Sequence, residues 1–93
     1  MGRKSMAEQL IDEFRNEPDG PGLYILAYDF SSRISNRFWS NLNIILKCGG
    51  GGHTFQRGIV LITSEKATRI IAKLVKHYGG EAAAFKIEKE LDL

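Results

Sequence analysis

The start of the chain has a helical pattern of apolar and polar residues. Apolar residues recur at helical spacing from residue 6 to residue 14, and Ser5 with Glu8 forms the pattern of a capping box. Two prolines and two glycines within residues 18–22 then end the helix and predict a linker. The predicted organisation is an N-terminal helix in residues 1–17, a linker in residues 18–22 and a main domain in residues 23–93.

The next segment, from Leu23 to Tyr28, contains only aliphatic and aromatic residues. This composition predicts a strand, and a strand that is apolar on both sides is expected to be covered on both faces. In a chain of 93 residues, two helices suffice to cover one face. We expect a second copy of the chain to cover the other face.

Two longer helices follow. Ser35 is the predicted N-cap of the second helix, and Thr63 or Ser64 is the predicted N-cap of the third. The third helix keeps the i, i+3, i+4, i+7 spacing of apolar residues from 67 to 78. Between the two helices, the run from Gly49 to Gly52 lacks the Lys-Ser/Thr of a P-loop, so it predicts a flexible turn.

Two further strand regions complete the pattern, at residues 53–63 and 83–91. The order is a helix followed by strand–helix–strand–helix–strand, which predicts an α+β fold. We expect a ferredoxin-like sandwich with both long helices on one face of the sheet and an additional N-terminal helix. Gly58 marks a bend, a bulge or a hairpin in its strand region, and a hairpin would supply a fourth strand.

Composition limits the class of protein. Apolar residues make up 43% of the chain, as in ordinary globular proteins, and no apolar run approaches the roughly 18 residues of a membrane span. The first residues carry no signal-peptide pattern. A lone cysteine, Cys48, cannot form an internal disulfide, which favours a reducing setting. We therefore predict a cytoplasmic protein without a membrane partner.

The net charge of +2 is unevenly distributed. Residues 30–80 carry eight basic side chains and one acidic side chain, whereas both ends of the chain are acidic. This distribution indicates a candidate phosphate-binding surface. The alternative is that these charges form the solvated faces of two helices.

Asp29, at the end of the first strand, is the candidate catalytic and metal-binding residue. Ligands gather at the carboxyl ends of strands in open α/β sheets. If two copies of the chain meet there, two Asp29 carboxylates could hold Mg²⁺ and orient a metal-bound water toward a phosphodiester. The alternative is that Asp29 forms an Asx-turn with the serines that follow it.

Four basic residues are candidate nucleic-acid contacts. Arg33 and Arg37 are four residues apart at the start of the second helix, so both can face one phosphate strand. Arg57 precedes Gly58, and Lys47 lies at the far end of the second helix. Three aromatic residues are candidates for stacking on bases or, more commonly, for the core: Phe30, Trp39 and Phe55.

A family resemblance accompanies these residues. The apolar strand ends in Tyr28-Asp29 and is followed by an arginine-bearing helix, a glycine-containing turn and the stretch FQRGIV at residues 55–60. In this order and spacing, residues 23–87 resemble the small CRISPR-associated adaptation protein, the ferredoxin-like partner of the CRISPR integrase.

The resemblance implies a homodimer that binds RNA or DNA in antiviral defence, beside an integrase partner protein. Some members of that family are Mg²⁺-dependent endonucleases and others are scaffolds without catalysis, so the enzymatic role stays open. The alternative is a non-enzymatic ferredoxin-like module that binds a protein or a small regulatory ligand.

Overall fold

The computed structural model describes residues 4–48, 52–89 and 91–93, and these residues form three helices and four strands. The predicted glycine turn falls mostly on residues 49–51, outside the described ranges. In chain order the elements are α1 (Met6–Glu13), β1 (Pro21–Phe30), α2 (Asn36–Cys48), β2 (Gly52–Gln56), β3 (Ile59–Ser64), α3 (Glu65–His77) and β4 (Gly80–Ile87).

The four strands form one antiparallel sheet in the order β2–β3–β1–β4. β1 lies in the interior of the sheet, where Ala27 is opposite both Ile59 of β3 and Ala83 of β4. β2 and β3 form a hairpin through Arg57 and Gly58, and this hairpin supplies the fourth strand that the sequence left open. The predicted α+β class is confirmed, and the arrangement is compatible with a ferredoxin-like fold that has an additional N-terminal helix.

The two faces of the sheet have different surroundings. Tyr24, Leu26 and Tyr28 of β1 are buried, and Leu26 and Tyr28 belong to a core shared with α2 and α3. Ile25 and Ala27 alternate with them, so they point to the opposite face, where they are only half-buried. The described helices lie on the core side, and none of them covers the opposite face.

α1 packs against α2 and α3 and shares their core. Its first turn has the predicted capping box between Ser5 and Glu8. The buried backbone N–H of Ala7 donates to Asn41 Oδ1 of α2 at 2.8 Å. Ala7 is fully buried and Leu10 nearly so, which ties α1 to the rest of the molecule.

Serine side chains cap both long helices. Ser64 Oγ accepts from the backbone N–H of Ala67 at 3.1 Å, so Ser64 and not Thr63 is the N-cap of α3. At the start of α2, Ser35 Oγ accepts from the backbone N–H of Arg37 at 3.1 Å, as predicted. Each helix has 13 residues, and within the described ranges no helix has the length and apolar character needed to span a bilayer.

Candidate functional site

A cleft of about 600 Å³ opens at the end of β1. One wall is formed by the loop before α2 and the first turn of α2, and the other by the turn between β2 and β3. The cleft brings together three of the five predicted site residues, Asp29, Arg33 and Arg57. The rest of the lining consists of Tyr28, Phe30, Ser32, Ile34, Asn36, Trp39 and Gly58.

Gly58 allows the β2–β3 turn to pack directly against β1. Its φ of +87° lies in the left-handed region that residues with a side chain rarely adopt. A Cβ at this position would lie 3.1 Å from the carbonyl oxygen of Tyr28, and the Gly58 carbonyl accepts from the Tyr28 N–H at 2.9 Å. This close approach positions Arg57 at the cleft.

The first turn of α2 forms part of the opposite wall. The helix begins at Asn36, which lines the cleft, so the positive end of the helix dipole lies there, although Ser35 already accepts from the N–H groups of Arg37 and Phe38. Phe38 anchors this turn in the core, with its ring centroid 5.3 Å from that of Tyr28. Arg33 is exposed in the loop just before the helix. An anion in the cleft would therefore meet a guanidinium from each wall.

A buried tyrosine, Tyr28, belongs to the lining of the cleft. Tyr28 exposes 8% of its surface, and its ring packs edge-on against Phe30 and Trp39. Within the described residues, Tyr28 Oη makes no hydrogen bond. Burial raises the pKa of this hydroxyl; the Gly58 amide and the Arg57 charge oppose that rise, but neither forms a hydrogen bond of normal geometry with it. The hydroxyl is therefore a protonated donor at neutral pH.

Asp29 lies within β1 and its side chain is exposed. The structure does not show the Asx-turn, because the side chain makes no hydrogen bond within the described residues and the strand continues through Phe30. Strand alternation places Asp29 on the uncovered face, opposite Glu81 of β4. Sequence reasoning missed Glu81, because a cross-strand partner depends on the register between β1 and β4, which no local pattern reveals.

The other two predicted contact residues lie outside the cleft lining. Arg37 is exposed in the first turn of α2, where it can extend a positive surface from Arg33. Lys47 is exposed in the last turn of α2, about 15 Å farther along the helix axis at a rise of about 1.5 Å per residue. Arg37 thus lies beside the cleft and Lys47 lies far from it.

Two of the three aromatic candidates for base stacking belong to the cleft floor. Phe30 and Trp39 are half-buried, with ring centroids 5.0 Å and 5.2 Å from that of Phe38. Their edges pack in the core, so they support the floor of the cleft. The side chain of Phe55 lies outside the described part of the structure.

The basic side of α3 is partly occupied by other parts of the chain. Lys73 pairs with Glu13 of α1, and Lys66 Nζ donates to the backbone carbonyl of Arg15 at 3.0 Å. Arg69 pairs with the acidic residue one turn earlier on α3. The predicted basic surface is therefore not continuous. Part of the positive charge of α3 is paired with an acidic residue of α1, and two arginines lie apart from α3 at the cleft.

Comparison of the chain with protein-family models, with curated proteins and with solved structures finds no match. The resemblance to the CRISPR adaptation protein therefore stays a prediction. A functional conclusion has to rest on the geometry of the cleft and of the uncovered sheet face.

Proposed function

We propose that this protein is a homodimer that binds the phosphate backbone of nucleic acid, RNA or DNA, with the cleft at the end of β1 as its main contact. The observation that carries the proposal is the placement of Arg33 and Arg57 on opposite walls of one cleft, beside the N-terminus of α2. Arginine presents a planar fork that matches phosphate, and helix N-termini favour anions. Arg37 extends this positive surface along α2.

The uncovered face of the sheet supports the homodimer. Phe85 of β4 is 61% exposed and lies opposite Ile25, which points to the same face. The larger apolar side chains on this face are Leu23, Ile25, Ile59, Leu61, Phe85 and Ile87. A second copy would bury them by face-to-face sheet packing, and a domain of this size benefits from such burial.

Metal-dependent nuclease activity, which the resemblance leaves open, is the second part of the proposal. Among the described residues, no three potential metal ligands are grouped together. Mg²⁺ is commonly held by one or two carboxylates, with water and phosphate oxygens completing its shell, so Asp29 and Glu81 meet the minimum. A bound Mg²⁺ would supply a metal-activated water for attack on a phosphodiester.

The proposed dimer would contribute to this activity, because Asp29 and Phe85 lie on the same face of the sheet. Pairing through that face is the arrangement in which two copies of Asp29 can approach each other. Their mutual repulsion would be relieved by a cation between them. A role in CRISPR adaptation beside an integrase is included in the proposal and rests on the sequence resemblance.

The test compares the wild-type protein with Asp29→Asn and with the double variant Arg33→Ala/Arg37→Ala. Each is assayed for binding and cleavage of short single- and double-stranded RNA and DNA, with Mg²⁺ and with a chelator. The matched control is Lys86→Ala/Lys89→Ala, which removes the same charge near the other end of the sheet. With three phosphate contacts per site, duplex-DNA affinity should fall about 40-fold between 50 and 200 mM salt.

Cleavage that is lost in Asp29→Asn, with binding retained, would support the nuclease. Binding without cleavage, lost in the arginine variant and kept in the lysine control, would support a scaffold that binds nucleic acid. If no form of the protein binds any of the four substrates at low salt, the proposal fails. The exposed sheet face would then favour the second candidate function, a protein-interaction module without enzymatic activity.

A further inference from the structure

We propose that the cleft receives a phosphate monoester, the group found at the end of a nucleic-acid strand or on a free nucleotide, in preference to the phosphodiesters inside a strand. This inference rests on the proposed function, because it specifies which phosphate the cleft binds. Arg33 and Arg57 on the walls and Tyr28 at the floor are the residues assigned to it.

The shape of the cleft favours a group that ends there. Its floor is formed by aromatic side chains, with the Tyr28 ring centroid 5.9 Å from that of Phe30 and 6.3 Å from that of Trp39. A strand that entered the cleft could not continue through this packed cluster. A terminal phosphate can reach the floor, whereas an internal phosphodiester has chain on both sides and would stay at the mouth.

The charge of the cleft matches the same group. A phosphate monoester carries a charge of about −1.5 to −2 at neutral pH and offers three strong acceptor oxygens. An internal phosphodiester has a single negative charge and two free oxygens. Two guanidinium groups, one from each wall, and the N-terminal end of the 13-residue α2 face the cleft. This positive charge matches a doubly charged group with three acceptor oxygens better than a singly charged group with two.

The Tyr28 hydroxyl is an independent indication of a ligand. Buried polar groups almost always have a hydrogen-bond partner, so an unpaired one calls for an explanation. Within the described residues, Tyr28 Oη has none, and its nearest polar influences, Arg57 and Gly58, both line the cleft. Burial raises the pKa of Tyr28, so the hydroxyl stays protonated. The hydroxyl is covered by neighbouring side chains, so it can donate to the third phosphate oxygen once the side chains over the cleft floor move apart.

The test measures fluorescence anisotropy with oligonucleotides of one sequence that carry a 5′-phosphate, a 3′-phosphate or hydroxyls at both ends. Wild-type protein should bind one phosphorylated form about tenfold more tightly than the hydroxyl form. Tyr28→Phe keeps the ring and removes only the hydroxyl, so it should reduce this preference severalfold. Arg57→Ala should abolish the preference, and Lys89→Ala, at the other end of the sheet, should leave it unchanged.

Adenosine monophosphate and inorganic phosphate, added as competitors, distinguish the two sources of the group. Displacement at low concentration would assign the cleft to free phosphate monoesters, and resistance to displacement would assign it to strand ends; the monoester preference stands in both cases. Binding of the small phosphates but of no oligonucleotide would refute the proposed function and leave this inference intact.

Two outcomes would overturn the inference. Equal affinity for phosphorylated and hydroxyl-ended strands would do so while leaving nucleic-acid binding intact. A preference that survives unchanged in both Tyr28→Phe and Arg57→Ala would also do so, because its determinant would lie elsewhere. Thermal unfolding of each variant verifies that a lost preference is not a lost fold.

Discussion

Replacing Phe85 by serine should convert the proposed dimer into a monomer. Phe85 exposes 61% of its surface on the uncovered sheet face. For an aromatic side chain of about 200 Å², this leaves about 120 Å² to be buried by a partner. At about 25 cal/mol per Å², that burial contributes about 3 kcal/mol per copy and about 6 kcal/mol per dimer as an upper bound. A loss of this size weakens the dimer about 10⁴-fold.

Sedimentation equilibrium between 1 and 100 μM protein measures this change directly. We expect the wild-type protein to be dimeric in the micromolar range and Phe85→Ser to stay monomeric throughout. The matched control is Leu91→Ser, because Leu91 is 71% exposed but lies in the C-terminal segment after β4. Circular dichroism should show the same secondary structure in all three proteins.

Two results would refute this reasoning. A wild-type protein that is monomeric at 100 μM would show that the exposed face is not an interface between copies of this chain. A Phe85→Ser variant that dimerises as tightly as Leu91→Ser would place the interface elsewhere. Either result would also remove the basis for pairing Asp29 with the Asp29 of a second copy. The proposed metal site would then have only Asp29 and Glu81 of one chain.

Three further predictions concern stability. Asn41→Ala removes a buried acceptor that binds α1, so the free energy of unfolding should fall by about 1–3 kcal/mol in urea titrations, whereas Asn43→Ala, exposed on the same helix, should change little. Gly58→Ala should cost about 1–3 kcal/mol, because alanine must adopt a φ of +87° beside a backbone oxygen, and it should weaken binding in the cleft. The Ser64 hydroxyl donates to Asp19 and, as the main cause, lowers the pKa of that carboxyl from its ordinary 3.8. The resulting stabilisation is present above pH 3.8 and is lost as the pH falls through the lower folded value, so the difference in Tm between wild type and Asp19→Asn should disappear in strong acid.

Local signals in the sequence predicted most of the fold. The capping box of α1, the Ser35 cap and the apolar spacing of α3 each depend on residues within a few positions of one another, and all three are present. The apolar character of β1 was also readable, because every residue from 23 to 28 is apolar, and the structure buries alternate residues of this segment. The sequence did not decide whether Gly58 lies in a hairpin. A glycine fits a bulge, a bend or a turn equally well until the pairing of the two strands is known.

The candidate site was less accessible to sequence reasoning. Asp29, Arg33 and Arg57 were selected by residue type, and all three line one cleft, although strand alternation points the Asp29 side chain to the other face of the sheet. Tyr28 was assigned only to the strand, because an unpaired hydroxyl is a property of its buried surroundings. Glu81 was missed because its position opposite Asp29 depends on the register between β1 and β4. The pairing of Glu13 of α1 with Lys73 of α3 likewise depends on tertiary packing.

The alternation of side chains along β1 separates two properties that the sequence places side by side. Tyr28 points to the core side, where it forms the floor of the cleft, and the next residue, Asp29, points to the face that carries Phe85. A dimer formed through that face would therefore leave both clefts accessible. Phe85→Ser should abolish dimerisation and keep the preference for a terminal phosphate, whereas Tyr28→Phe should keep the dimer and reduce that preference severalfold. If Phe85→Ser removes both in a folded protein, the cleft depends on the partner copy, and its walls are incomplete in a single chain.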